Sequence, residues 1–232
     1  MLFHPMDILI FIAFGLSIWA QFKVKGNFNK WSEVGSSSGM SGAEVAREIL
    51  DSNGLFHIPV EAVPGRLSDH YDPISKVVRL SEDVYYGRSI ASISVAAHEV
   101  GHAVQDKQSY KALVLRHRMF PVVNLTSGIA PFLLMGGMFL QQASLVGLGI
   151  ILFSAAVAFQ VITLPVEFNA SSRAKRFMLT EGIIQSHEEK GVNKVLGAAA
   201  LTYVAAALIS VLELLKFVLI FFQGNNNEEQ GN

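Results

Sequence analysis

The sequence contains no cysteine. That excludes disulfides, cysteine-ligated zinc, thiol nucleophiles and palmitoylation, and it leaves the redox compartment unread from thiols. Charge is scarce as well. Of the 232 residues 16% are charged and 51% hydrophobic, whereas a soluble domain carries about 25% charged residues. The net charge of −1 gives no general affinity for nucleic acid. No lysine or arginine precedes the first apolar stretch, its lysines follow it, and it lacks a small-x-small cleavage site, so it reads as a retained anchor rather than a cleaved signal. No internal repeat is visible.

The missing charge is not spread evenly. Four apolar segments run at about 6–22, 119–140, 143–166 and 196–222. A helix needs roughly 20 apolar residues to cross the hydrocarbon core, so the last three suffice easily and the first passes if its ends reach the interface. Glu213 and Lys216 sit at i,i+3 in the fourth segment, where they can pair on one helix face. Every lysine and arginine except Lys216 lies in 23–118 or 173–194, and none lies in 1–5, 141–142 or 223–232. Positive charge near span ends stays cytoplasmic. The expected protein is therefore multi-pass in the plasma membrane, with both large polar segments in the cytoplasm and both termini outside. Spans two and three then form a hairpin turning at Gln141 and Gln142.

Within 23–118, the run from Gly35 to Gly39 reads as a flexible linker. Ser41 and Glu44 have capping-box spacing for a helix running to Ser52, with Gly54 as its stop. The proline- and glycine-bearing stretch 55–72 reads as loop with room for one short strand, and 76–80 as a strand. A helix start follows at Ser81, and 88–106 reads as a packed helix, apolar almost all round. The polar tail 223–232 is expected to be disordered.

That packed helix carries His98-Glu99-Val100-Gly101-His102. Residues i and i+4 share a helix face, so His98 and His102 can bind one Zn²⁺ through two imidazoles. Glu99 is turned about 100° away. It therefore suits the general base that takes a proton from a metal-activated water better than it suits a ligand. The motif follows the 76–80 strand, the order in which a zinc peptidase holds a substrate backbone along a sheet edge. The bland alternative, two histidines bonded to neighbours on a packed helix, leaves a costly polar cluster on an apolar surface. A catalytic zinc takes three protein ligands and one open position. The hairpin returns the chain to the cytoplasmic face at Val166, and the next residue is Glu167, the candidate third ligand. Asp69, His70, Asp72, His117, Glu181 and His187 are its rivals.

Five runs carry a resemblance: SGAEVAR at 41–47, VPGRLSDHYDP at 63–73, RLSEDVY at 79–85, AAHEVGHAVQ at 96–105 and LPVEFNASSRA at 164–174. Together they resemble the bacterial YugP-type neutral zinc metallopeptidases across nearly the whole chain. The resemblance implies a membrane zinc peptidase of largely unassigned substrate. The layout is also similar to the HtpX and prenyl-protein endopeptidase group. There the glutamate ligand is followed four residues later by a supporting aspartate; Ser171 stands at that position here. The YugP pattern carries aspartate where this chain has Asn169, which can still orient a ligand by hydrogen bonding. The same view draws attention to His70 and Tyr71 as oxyanion donors, beside a turn held by Asp69 and Asp72. Arg173 is a further oxyanion candidate, or else snorkels at the interface.

The expected architecture is a mainly α integral-membrane protein: four transmembrane helices with a small cytoplasmic α+β zinc-metallopeptidase unit of gluzincin type. Its parts are an anchor (1–22), a cytoplasmic domain with the motif helix (23–118), a transmembrane hairpin (119–166), a cytoplasmic segment with the third ligand (167–195), a last span (196–222) and the tail (223–232). The expected function is endoproteolysis with Zn²⁺ on His98, His102 and Glu167 and Glu99 as base. The expected partners are the lipid bilayer and a protein or peptide substrate, with no nucleic acid; oligomeric state is open. The alternative is a zinc-stabilised membrane scaffold or adaptor without proteolytic activity. Cleavage inside the bilayer is a variant of the first reading, and transport, resting on Glu213 and Lys216 alone, is the weakest.

Overall fold

The computed structural model describes residues 4–230, with side chains as far as 223. The described elements are α1 (Met6–Ser32), α2 (Gly42–Ser52), β1 (Val60–Val63), β2 (His70–Asp72), β3 (Val77–Ser81), α3 (Glu82–Tyr85), α4 (Ile90–Lys107), α5 (Lys111–Phe139), α6 (Ala143–Thr180) and α7 (Glu189–Gln230). They fall into two compact units. Among the described residues, one draws on 4–18, 114–164 and 203–230, the other on Trp19–Leu113 and Pro165–Thr202.

The first unit holds the apolar parts of the long helices. Helices α1, α5, α6 and α7 are each long and apolar enough to cross a membrane, and only 11–22% of their most apolar windows is buried in the protein. So much outward apolar surface suits lipid, not water. All four helices run past the apolar segments read from sequence, because backbone hydrogen bonding continues where hydrophobicity stops. Residues between α5 and α6 make the expected tight turn, with Gln141 at φ 53°. Lys216 is ion-paired with Asp7, in the first turn of α1. The i,i+3 spacing to Glu213 is thus not where its salt bridge forms: a carboxylate on another helix meets the ammonium first. Helix α7 continues to Gln230 through most of the tail expected to be disordered, as propagation from an established helix needs no new nucleus. Residues 231 and 232 lie outside the described residues.

The second unit is built on α4. Ser89 caps its N-terminus by accepting from the Ser92 amide at 3.1 Å. Helix α2 starts with the expected capping box: Ser41 accepts from the Glu44 amide at 3.2 Å, and the Glu44 carboxylate accepts from the Ser41 amide at 2.6 Å. Its apolar face, Val45, Ala46, Ile49 and Leu50, is fully buried with Ile93, Ala97, Val100 and Val104 of α4 in one core. Ala174, Phe177 and Met178 of α6 and Val192, Val195 and Leu196 of α7 complete that core. The two polar segments of the chain therefore share one hydrophobic interior.

The sheet has the order β1-β3-β2, with β1 parallel and β2 antiparallel to β3. The strand expected at 76–80 is β3, and it is central. Its backbone is paired on both sides, which leaves β1 and β2 as the edges of the sheet. Strands β1 and β2 fall where loop with one short strand was expected. The Gly35–Gly39 run is pinned rather than a flexible linker. The Ser36 amide donates to the Arg88 carbonyl at 2.9 Å, and the Ser37 amide donates to the Glu188 carboxylate at 2.8 Å, with the Ser37 hydroxyl on the same carboxylate. Glycine and serine set the chain's freedom, but partners across the fold decide whether it is used.

Candidate metal centre

Helix α4 presents His98 and His102 one turn apart, with ring centroids 4.8 Å apart and planes 87° to each other. Glu167, 3% exposed, comes from α6. Its Oε2 lies 3.3 Å from His98 Nε2 and 3.5 Å from His102 Nε2. One ligand atom from each of the three residues falls within 4.8 Å of the others. Two donors each about 2.0–2.1 Å from a tetrahedral zinc lie roughly 3.4 Å apart, so both nitrogen–oxygen separations fit edges of such a site. The donor chemistry fits too: two neutral imidazoles and a carboxylate form a recognised set for zinc with an open position.

Close approach of α4 and α6 depends on Gly101. A Cβ at that position would lie 2.7 Å from the Ala170 carbonyl oxygen and 3.2 Å from its Cα. Ala170 and Ala174 are fully buried beside it. Glycine inside the motif is thus what lets the helix bearing Glu167 come near enough to complete the cluster.

Glu99 lies on the neighbouring face and is 9% exposed. Its Oε2 accepts from the Tyr71 amide of β2 at 3.0 Å. The field at the centre is negative. Burial opposes the charged form of His102, yet its hydrogen bond to Glu167 and the charges of Glu99 and Glu167 outweigh that and hold it above the ordinary histidine range. A field that favours an imidazolium favours a divalent cation for the same reason.

The remaining candidates divide. Asn169 Oδ1 accepts from Gln105 Nε2 at 2.9 Å and from Arg173 Nε at 2.6 Å. Arg173 also donates through Nη1 to Gln108 Oε1 at 2.7 Å. The Tyr71 hydroxyl donates to Asp106 Oδ2 at 2.7 Å, and Lys76 pairs with that same oxygen. Burial and the Asp106 carboxylate raise the Tyr71 phenol well above its usual range. His70 is exposed, its Nδ1 2.8 Å from the Ser68 carbonyl. Asp72 accepts from the Ile74 and Ser75 amides at 2.9 and 3.1 Å, holding the turn expected of it. Asp69 instead ties the loop to the end of β3, accepting from the Ser81 amide at 2.7 Å. None of the rival ligands Asp69, His70, Asp72, His117, Glu181 and His187 belongs to the three-residue cluster found among the described residues.

Two contacts of the centre were not foreseen. Ser171, standing where the related pattern has aspartate, places its hydroxyl 3.2 Å from His98 Nδ1. Gln105, fully buried, places Oε1 3.0 Å from His102 Nδ1. The available signal was a polar residue three positions after a ligand histidine in an otherwise apolar run.

A cluster of this composition on a motif helix, in a chain with four membrane-length helices, is what a membrane zinc peptidase requires. The chain belongs to the family described as "Putative neutral zinc metallopeptidase", which matches residues 6–222. It is 67% identical over 218 residues to the protein of Bacillus subtilis (strain 168) named "Putative membrane protease YugP", a match covering 94% of this chain and 97% of that protein. No solved structure matches the chain.

Proposed function

We propose that the protein is a membrane-bound zinc endopeptidase, with His98, His102 and Glu167 as metal ligands and Glu99 as general base. The observation that carries this reading is the convergence of one ligand atom each from His98, His102 and Glu167 within 4.8 Å, with Glu167 Oε2 at 3.3 and 3.5 Å from the two Nε2 atoms, from two different helices, beside a positioned carboxylate. Zinc held there supplies Lewis acidity, lowering the pKa of a water and polarising the scissile carbonyl. Glu99 takes the proton as the water oxygen bonds to the carbonyl carbon. It returns that proton to the amine nitrogen as the C–N bond breaks. The Tyr71 amide holds Glu99 Oε2 in place during both transfers. The Asn169–Arg173 pair supports α6 near its ligand, and β2, whose Tyr71 amide faces Glu99, is the sheet edge beside the site.

The charge distribution supports a cytoplasmic site. Lys23, Lys25, Lys30, Arg116, Arg118, Arg173, Lys175, Arg176 and Lys194 lie close to span ends, the positions that set orientation. Substrates would then be membrane-attached or cytoplasmic proteins reached from that side. The test is cleavage by purified full-length protein in detergent of a substrate shown to be cut by the wild type. Loss of cleavage in Glu99→Gln is expected. Full activity in that variant contradicts the mechanism, and intact cellular function in Glu99→Ala beside loss in His98→Ala favours the scaffold reading.

A further inference from the structure

Gln105 has no place in the mechanism above, yet its amide is fully buried and every polar atom of it is used. Oε1 is 3.0 Å from His102 Nδ1, and Nε2 donates to the Val166 carbonyl at 2.8 Å and to Asn169 Oδ1 at 2.9 Å. The orientation of this amide follows from its partners. A backbone carbonyl only accepts, so the group facing Val166 must be the NH₂. The group facing His102 is therefore the carbonyl oxygen, which only accepts. His102 must then carry a proton on Nδ1, so Nε2, which faces Glu167, is the nitrogen whose proton a metal would replace. A second fixed point agrees. Arg173 only donates, so Asn169 turns its oxygen to Arg173 Nε and thereby offers the same oxygen to Gln105 Nε2. Every bond from Arg173 to His102 has one permitted direction.

His98 differs. Its Nδ1 partner is the Ser171 hydroxyl, which can donate or accept and so leaves the tautomer open. The Gln105 contacts also join the two ligand-bearing helices at one residue: His102 is three positions before it on α4, and Val166 immediately precedes Glu167 on α6.

We propose that Gln105 is a positioning residue that fixes the metal-ready tautomer of His102 and holds it in register with Glu167, its amide oriented by Asn169 and Arg173. This rests on the metal-site reading above. An acceptor on the second nitrogen of a ligand histidine orients the ring and raises its basicity, and losing one typically weakens metal affinity about 10- to 100-fold.

The test is zinc affinity by chelator competition on full-length protein in detergent, alongside helicity and metal-free thermal stability. Gln105→Met, close in volume, is expected to remain helical and bind zinc about 10- to 100-fold more weakly. Asn169→Asp keeps the acceptor for Gln105 and Arg173 and is expected to match the wild type, whereas Asn169→Leu weakens zinc as Gln105→Met does. A merely structural role would lower metal-free stability in these variants without moving zinc affinity, and that result overturns the proposal. Should Gln105→Met not fold, the contrast between Asn169→Leu and Asn169→Asp decides, and equal affinities overturn it. His102→Ala is the control. Undiminished zinc in that variant overturns the metal site itself, an outcome distinct from unchanged affinity in Gln105→Met beside zinc loss in His102→Ala.

Discussion

Glu99 and Glu167 are both buried carboxylates on helices, but their surroundings differ. Glu167 Oε2 faces two imidazole nitrogens, whereas Glu99 Oε2 faces the Tyr71 amide, a neutral donor that aims the carboxylate without consuming its charge. Glu99→Gln should therefore keep its zinc while losing roughly 10²–10⁴-fold in turnover, the usual contribution of a positioned general base; parallel metal content and cleavage rates read the two effects apart. His98, Glu99 and His102 were legible in the sequence because helix geometry alone puts i and i+4 on one face. Glu167 was legible because two long apolar segments joined at Gln141 and Gln142 were expected to bring the chain back to its starting side. Gln105 and Ser171 were not. The i,i+3 spacing of Gln105 to His102 is local, but the partners that orient its amide lie on α6, and Ser171 meets His98 across two helices; no local period records either.

Helix α4 carries the histidines, but its crossing with α6 makes the cluster, and Gly101 permits the crossing. Gly101→Ala would push a methyl into the Ala170 backbone. We expect a loss of about 1–3 kcal/mol in unfolding stability, typical of overpacking, together with weaker zinc binding; denaturation with and without added zinc measures both. Capping gives a second case. The Ser41–Glu44 box is formed, so Ser41→Ala should cost about 0.5–2 kcal/mol without altering zinc affinity in the folded protein. The helix starts, the Gly54 stop and the membrane-length helices could be read because caps, glycine and long apolar runs act locally. Strands β1 and β2, four and three residues long, are too short to show a period. Their place in the sheet is decided by partners, as is the pinned run from Gly35 to Gly39.

Across the whole chain, the asymmetric placement of lysine and arginine is the basis for orientation. The natural lack of cysteine makes this directly measurable. Single cysteines at exposed Ser75 and Ser186 should react with a membrane-impermeant maleimide only after the cytoplasmic face is opened, and one at exposed Gln142 should react in intact cells; the reverse pattern would invert the topology. Orientation decides which substrates can reach the site, but the proposed activity stands on the metal. The most direct measurement is the zinc content of purified full-length Glu167→Ala beside the wild type, with helicity confirming that both are folded. The wild type should hold stoichiometric zinc and the variant should lose it. Stoichiometric zinc retained in a folded Glu167→Ala would contradict the assignment and place the third ligand elsewhere.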